Sequence, residues 1–286
     1  MEEFESQTEA FAQQIEEELR DGVLSFPTVF DLSLRIKKMA DDPDSSLSDI
    51  AEVVRAEPVL AAKVLRMANT VALNPYRGEI NSVGDAIGRI GLSALRCLAY
   101  AVAAEQLARD HRSRQMRLVA SGLWMHSIDV ASWAFAFSRH LGRHTPDTAL
   151  LAGLMINVGQ FYLLARAARY PAIEGDMKRF AEIVSLWDDP VRSAVLDAFE
   201  MPALIVDACE ADPVAHTEWP PAAMGDIVFF ATLAAETPNP FESLLGVQRR
   251  PELLDVSLGE AGKEAFDALL VTARDTRQEM LAAVCG

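Results

Sequence analysis

The stretch that decides the fold is Glu57-Pro58-Val59-Leu60-Ala61-Ala62-Lys63-Val64-Leu65-Arg66-Met67-Ala68-Asn69-Thr70. Pro58 suits a first helical position, since proline has no N–H to donate and its backbone already has a helical φ. The stretch therefore predicts a helix from Val59 to about Val71, which ends before the loop at 74–78.

The residues on either side carry further helix signals. Ser46 with Asp49, and Ser82 with Asp85, have the spacing of a capping box, in which side chains bond the free backbone N–H groups of a first turn. Gly91 predicts a break, because glycine is a poor helix former. Together with prolines and apolar periodicity, these signals predict helices over 25–40, 46–55, 92–109, 113–141, 145–168, 222–236 and 258–284, and helix starts at Asp189-Pro190 and Met201-Pro202. No strand pattern is evident, so the sequence predicts an all-α fold.

The two ends of the chain are amphipathic. Residues 2–21 carry eight acids against one base, yet Phe11 and Ile15 fall at helical spacing. Residues 258–284 place Phe266 and Met280 on one side of a long helix. We expect both helices to contact a partner protein or a second copy, and packing on the chain's own body is the alternative.

The charge and the cysteines restrict the function and the compartment. A formal net charge of −16 opposes nucleic-acid binding, which needs a basic face that displaces counterions. Three widely spaced cysteines and an acidic N-terminus without a signal-peptide pattern predict a cytoplasmic protein. The most apolar segment, 149–165, falls short of the roughly 20 residues of a membrane span, so we predict a buried helix and no membrane partner.

Several motifs fall in a recognisable order. They are Phe26-Pro27-Thr28-Val29-Phe30, the stretch 57–70, Ile80-Asn81-Ser82-Val83, Leu123-Trp124-Met125-His126-Ser127 and Ala152-Gly153-Leu154. In this order they resemble the HDOD domain family over roughly 22–236, with Phe30 in place of the family's second proline. The resemblance implies an HDOD-like multi-helix fold with four parts: an acidic helix (1–21), an N-terminal helical subdomain (22–110), a C-terminal HD-like helical subdomain (111–236), and a loop with a closing helix (237–286).

The family is related to HD phosphohydrolases, whose metal ligands are a His, a His-Asp pair and a later Asp. The resemblance places these four positions at His126, Ile156, Asn157 and Thr232. Isoleucine has no lone pair to donate and asparagine carries no charge, so only one metal ligand is retained. The sequence therefore predicts no catalytic residue, no metal and no cofactor.

Lys63, Arg66 and Asn69 are candidate binding residues, because spacings of three place them on one helical face. The alternative is an internal network that supports the following loop.

The resemblance implies a non-catalytic bacterial signal-transduction module that acts through protein–protein interaction. Its partners would be signalling proteins such as a histidine kinase, a GGDEF- or EAL-type protein or a receiver-domain protein, and a homodimer is an open alternative. Two other functions stay open: a residual metal-dependent phosphohydrolase acting on a nucleotide or cyclic dinucleotide, and a small-molecule sensor that uses the vacated pocket.

Overall fold

The computed structural model describes residues 2–24, 30–75, 78–111, 113–210, 219–247 and 258–285. Within these ranges all regular structure is helical, which confirms the all-α prediction. The α-helices are α1 (Glu2–Asp21), α2 (Asp31–Asp41), α3 (Leu47–Arg55), α4 (Pro58–Ala68), α5 (Val83–Asp110), α6 (Arg114–Leu141), α7 (Pro146–Met155), α8 (Val158–Ala167), α9 (Met177–Ala198), α10 (Ala203–Glu210), α11 (Met224–Ala234), α12 (Pro240–Leu245) and α13 (Gly259–Cys285). A short 3₁₀ turn, Ile173–Gly175, precedes α9.

Local signals place most helix ends in the N-terminal half. The Ser46 side chain accepts the Asp49 N–H at 3.2 Å, and the Asp49 carboxylate accepts the Ser46 N–H at 2.9 Å, so the predicted capping box is confirmed. Pro58 occupies the first turn of α4. Gly91 has φ 80° and ψ 167°, and it kinks α5 where a break was predicted. The predicted helix start at 25–28 lies outside the described residues.

Two predictions about helix ends are wrong. The helix predicted over 145–168 is divided into α7 and α8, and the break falls at Ile156-Asn157. Pro190 lies inside α9 instead of starting a helix. The N–H that proline lacks would have bonded the Leu186 carbonyl, and Leu186 is 75% exposed, so water can solvate that carbonyl.

Helix α6 forms the centre of the protein. It packs on α5, α7, α11 and α13, and most of its residues from Met116 to Ser138 are buried. Gly153 in α7 lies directly against the α6 backbone, because a Cβ on Gly153 would come within 2.6 Å of the Ala131 Cα. The Ala-Gly-Leu motif therefore allows two central helices to approach closely.

The acidic helix α1 packs on the body of the protein. Phe11 and Ile15 are fully buried, and the Phe11 ring meets Tyr170 and Phe180 edge to face. Glu18 accepts a charge-assisted bond from Arg166. The inner face of α1 is thus used within the chain, as the packing alternative predicted, and a partner contact of its outer face stays a prediction.

The closing helix α13 also packs on the chain itself, and it contacts both halves. Lys63 of α4 donates to the Val284 carbonyl, and the Ala72 N–H donates to Glu279 at 3.2 Å. On the other side, Arg277 pairs with Asp129 of α6 at 2.6 Å. Phe266 and Met280 are buried as well, so the apolar face of α13 is covered within the chain.

Two helical stretches are long and apolar enough to cross a membrane by length and composition, Val83–Gln106 and Pro146–Ala167. In the most apolar 18 residues of each stretch, 67% and 83% are buried within the protein, as in a core helix. The predicted burial of 149–165 is therefore confirmed.

The close approach of α7 to α6 gives a test of the packing. Gly153→Ala should lower the free energy of unfolding by about 1–3 kcal/mol or more, because the new methyl group overlaps the Ala131 backbone. Gly88→Ala is the matched control: it lies in α5 with open space around it, and it should stabilise by up to about 1 kcal/mol. Denaturant unfolding followed by circular dichroism measures both, and equal effects of the two substitutions would contradict the assigned packing.

Candidate functional site

His126 lies on the central helix α6 and is 5% exposed. Its Nδ1 is 2.7 Å from the carbonyl oxygen of Thr237, and it must donate because a carbonyl only accepts. This bond fixes the tautomer and the orientation of the ring, so Nδ1 is engaged by the backbone and any metal bond would have to use Nε2.

Ile156 and Asn157 form the break between α7 and α8. Ile156 packs against the hydrophobic core with its hydrocarbon side chain. Asn157 is buried, and its amide nitrogen donates to the Ser127 hydroxyl at 2.9 Å, which joins α8 to the residue after His126. The position of an HD-type His-Asp pair thus carries a core contact and a neutral hydrogen bond.

A chain of amide side chains continues from Asn157. Asn239 donates to the Gln160 side-chain oxygen at 3.0 Å and lies 3.4 Å from the Asn157 side-chain oxygen. Gln160 in turn donates to the Asp188 carboxylate at 3.1 Å, and Asp188 pairs with Arg192 at 3.3 Å. Amide donors and acceptors therefore satisfy one another across α8, α9 and residue 239.

Asp129 lies one turn beyond His126 and bonds the backbone near Thr237. One oxygen of its carboxylate accepts the backbone N–H groups of Glu236 at 2.8 Å and Thr237 at 3.0 Å. The other oxygen accepts Arg277 Nε at 3.0 Å and Nη2 at 2.6 Å. We call residues 236–239 the crossing segment, because it passes over α6 and reaches α8.

Thr232, the fourth position, lies on α11 and is only partly buried. Its hydroxyl donates to the Val228 carbonyl of its own helix at 3.0 Å. This bond satisfies the hydroxyl locally, and the residue offers no carboxylate.

The residues at the four positions do not fit a divalent metal. Such an ion needs several imidazole or carboxylate ligands, and here the four positions supply one imidazole, a hydrocarbon, an amide and a hydroxyl. Among the residues described, no three His, Cys, Asp or Glu side chains lie together in a way that could hold a metal ion.

The candidate binding residues on α4 make contacts within the chain. Lys63 is 2% exposed and pairs with Glu105 at 3.3 Å besides bonding the Val284 carbonyl. The Asn69 side chain bonds both the N–H and the carbonyl of Ile80 at 2.9 Å, which fixes the loop after α4. Arg66 Nη1 lies 3.5 Å from the Ala282 carbonyl. The three contacts correspond to the internal-network alternative, and a ligand-binding role for these residues stays a prediction.

The sequence analysis did not predict three residues that form this site: Asp129, Asn239 and Arg277. Only Asp129 carries a local signal, its position one turn after His126. Asn239 and Arg277 lie beyond the matched motifs, so no motif pointed to them.

A model of the HDOD domain matches residues 26–197 of this chain. A protein from Treponema pallidum (strain Nichols) is 24% identical over 163 residues, which are 55% of this chain and 29% of that protein, so the chain spans less than a third of its relative's length.

Solved structures share the fold. A candidate metal-dependent phosphohydrolase from Shewanella amazonensis SB2B has a TM-score of 0.66 and 24% identity, with 98% of this chain and 99% of that chain covered. An HDOD domain protein of unknown function from Geobacter sulfurreducens has a TM-score of 0.55 and 24% identity, with 95% and 96% covered. A candidate signal transduction protein from Marinobacter aquaeolei VT8 has a TM-score of 0.52 and 18% identity, with 98% and 66% covered.

The buried Asp129–Arg277 pair gives a second test. Arg277→Ala should lower the free energy of unfolding by about 3–5 kcal/mol, because it leaves the Asp129 carboxylate buried without its cation. Arg274→Ala is the matched control: this arginine is exposed on the same helix, and the change should stay within about 0.5 kcal/mol. If denaturant unfolding gave the two variants equal stability, the pair would not be holding α13 in place.

Proposed function

Because this chain belongs to the HDOD domain family, we propose that it is a non-catalytic signal-transduction module that acts by binding other proteins. The observation that carries the proposal is the crossing segment. This segment bonds His126, one of the positions that the resemblance assigns to metal ligands, and the nearby Asp129.

The chemistry of the site supports binding rather than hydrolysis. Metal-dependent hydrolysis needs an ion that lowers the pKa of a bound water to near neutrality. The Ile156 and Asn157 side chains supply neither charge nor a vacant imidazole, so they give such an ion little to bind. The module would then transmit a signal through its surface.

Proteins of bacterial signalling circuits are the proposed partners: a histidine kinase, a GGDEF- or EAL-type protein, or a receiver-domain protein. The proposed location is the cytoplasm. All three cysteines, Cys97, Cys209 and Cys285, are free thiols, which is usual in a reducing compartment. Burial raises the pKa of the Cys209 thiol to about 12, so this cysteine stays protonated and unreactive at neutral pH.

The absence of catalysis is tested with metal and substrate. Purified full-length protein should carry no stoichiometric metal by elemental analysis. With added manganese, it should hydrolyse nucleotides and cyclic dinucleotides no faster than the His126→Ala variant does. Manganese-dependent turnover that His126→Ala abolishes would overturn the proposal in favour of a residual phosphohydrolase.

The His126→Ala variant also tests the structural role of His126. His126→Ala removes the bond to the Thr237 carbonyl, so the free energy of unfolding should fall by about 1–3 kcal/mol with no change in metal content.

The binding role is tested by capture from the organism's own lysate. The captured protein is then purified and its affinity for this chain is measured. A defined dissociation constant for a signalling protein supports the proposal. If the chain binds no purified protein, and a nucleotide instead raises its melting temperature, the sensor alternative is correct.

A further inference from the structure

A cavity of about 310 Å³ lies in the N-terminal half of the chain, between α2, the start of α4 and α5. Its volume is at the lower end of the range for small-molecule sites, roughly 300–1,000 Å³. None of the four positions that the resemblance assigns to metal ligands lines this cavity. It is therefore a separate candidate site, with a chemistry of its own.

Part of the cavity wall is apolar. Val102 and Ala103 of α5 are buried, at 4% and 1% exposure, and the half-buried Leu32 of α2 lines the same cavity. A hydrocarbon group that contacts these side chains leaves water, which is favourable. This part of the wall therefore suits an apolar group of about the size of one amino-acid side chain.

The rest of the wall is polar and carries charges of both signs. Arg35 supplies a guanidinium, Asp31 and Glu57 supply carboxylates, and Gln106 supplies an amide. Among the described residues, none of these four side chains has an ion-pair or hydrogen-bond partner. Asp31 and Arg35 stay unpaired although they are four residues apart on α2, the spacing at which an acid and a base commonly pair. Glu57 is the N-cap residue of α4, yet its side chain makes no cap bond.

The signs of these charges restrict the ligand. A phosphate group or a nucleotide would meet two carboxylates, whose repulsion opposes binding. An amine without an anionic group would leave the Arg35 guanidinium without a counter-charge. A molecule that carries both an ammonium and a carboxylate matches both signs, because its ammonium can pair with Asp31 or Glu57. Its carboxylate matches the planar fork of the Arg35 guanidinium.

We propose that this cavity binds a free amino acid with an apolar side chain. The charged end of the ligand pairs with Arg35 and the two carboxylates, and its side chain packs on Leu32, Val102 and Ala103. The inference depends on this cavity alone and does not depend on the proposed function, since either a binding module or an enzyme could carry such a site.

The first test measures binding to the full chain by isothermal titration calorimetry. Leucine, valine and methionine are titrated as free amino acids, and the tightest of them is compared with its decarboxylated amine and its deaminated acid. The amino acid should have a dissociation constant at least roughly tenfold below that of either analogue, because each analogue lacks one of the two charges. If none of the three amino acids binds, or if an analogue binds as tightly as its parent, the proposal is wrong.

The second test assigns the binding to this cavity. Arg35→Gln and Glu57→Gln should each raise the dissociation constant at least roughly tenfold, because each removes a charge that pairs with the ligand. Both residues are exposed, so the variants should fold normally, which circular dichroism checks. Arg89→Gln is the matched control: Arg89 is exposed on α5 outside the cavity, and its replacement should leave the affinity unchanged. Binding that survives both Arg35→Gln and Glu57→Gln overturns the site, and so does an equal loss with Arg89→Gln.

Discussion

The structure depends on the hydrogen bonds that hold the crossing segment against α6 and α8. The Asp129 carboxylate receives the backbone N–H groups of Glu236 and Thr237, and His126 donates to the Thr237 carbonyl. A few residues on, Asn239 bonds Gln160. A buried polar group without a hydrogen-bond partner destabilises the folded state, so these bonds hold the segment in one position. His126 Nδ1, the Asp129 carboxylate and the Asn239 amide are thus bonded to other parts of the chain.

A second layer supports this arrangement. Asp129 is fully buried, and a buried carboxylate is costly unless it is paired and hydrogen-bonded. Arg277 supplies the cationic partner from α13, with its guanidinium 5.5 Å from the centre of the Trp133 ring. The same helix is fixed at its far end by Lys63 of the N-terminal half. The position of the crossing segment therefore depends on α13, which also contacts α4 in the N-terminal half of the chain.

The sequence predicts local features well and long-range contacts poorly. The capping box at Ser46 and the kink at Gly91 follow from the chemistry of one turn, and both were predicted. The helix start predicted at Pro190 was wrong, because a helix tolerates an internal proline where water can reach the carbonyl that the proline leaves unpaired. The resemblance located His126 and Asn157 as neighbours of one site. The partners that define the site could not be predicted, since Glu236 and Arg277 lie 107 and 148 residues from Asp129 and carry no motif.

The central proposal is that the positions which the resemblance assigns to metal ligands hold no divalent ion and make hydrogen bonds and core contacts within the chain. The most direct measurement is anomalous X-ray scattering from crystals of the full chain grown with manganese. The account predicts no manganese peak beside His126, and a Thr237 carbonyl within hydrogen-bonding distance of His126 Nδ1. A manganese ion bound to His126, with carboxylates completing its coordination, would contradict the account.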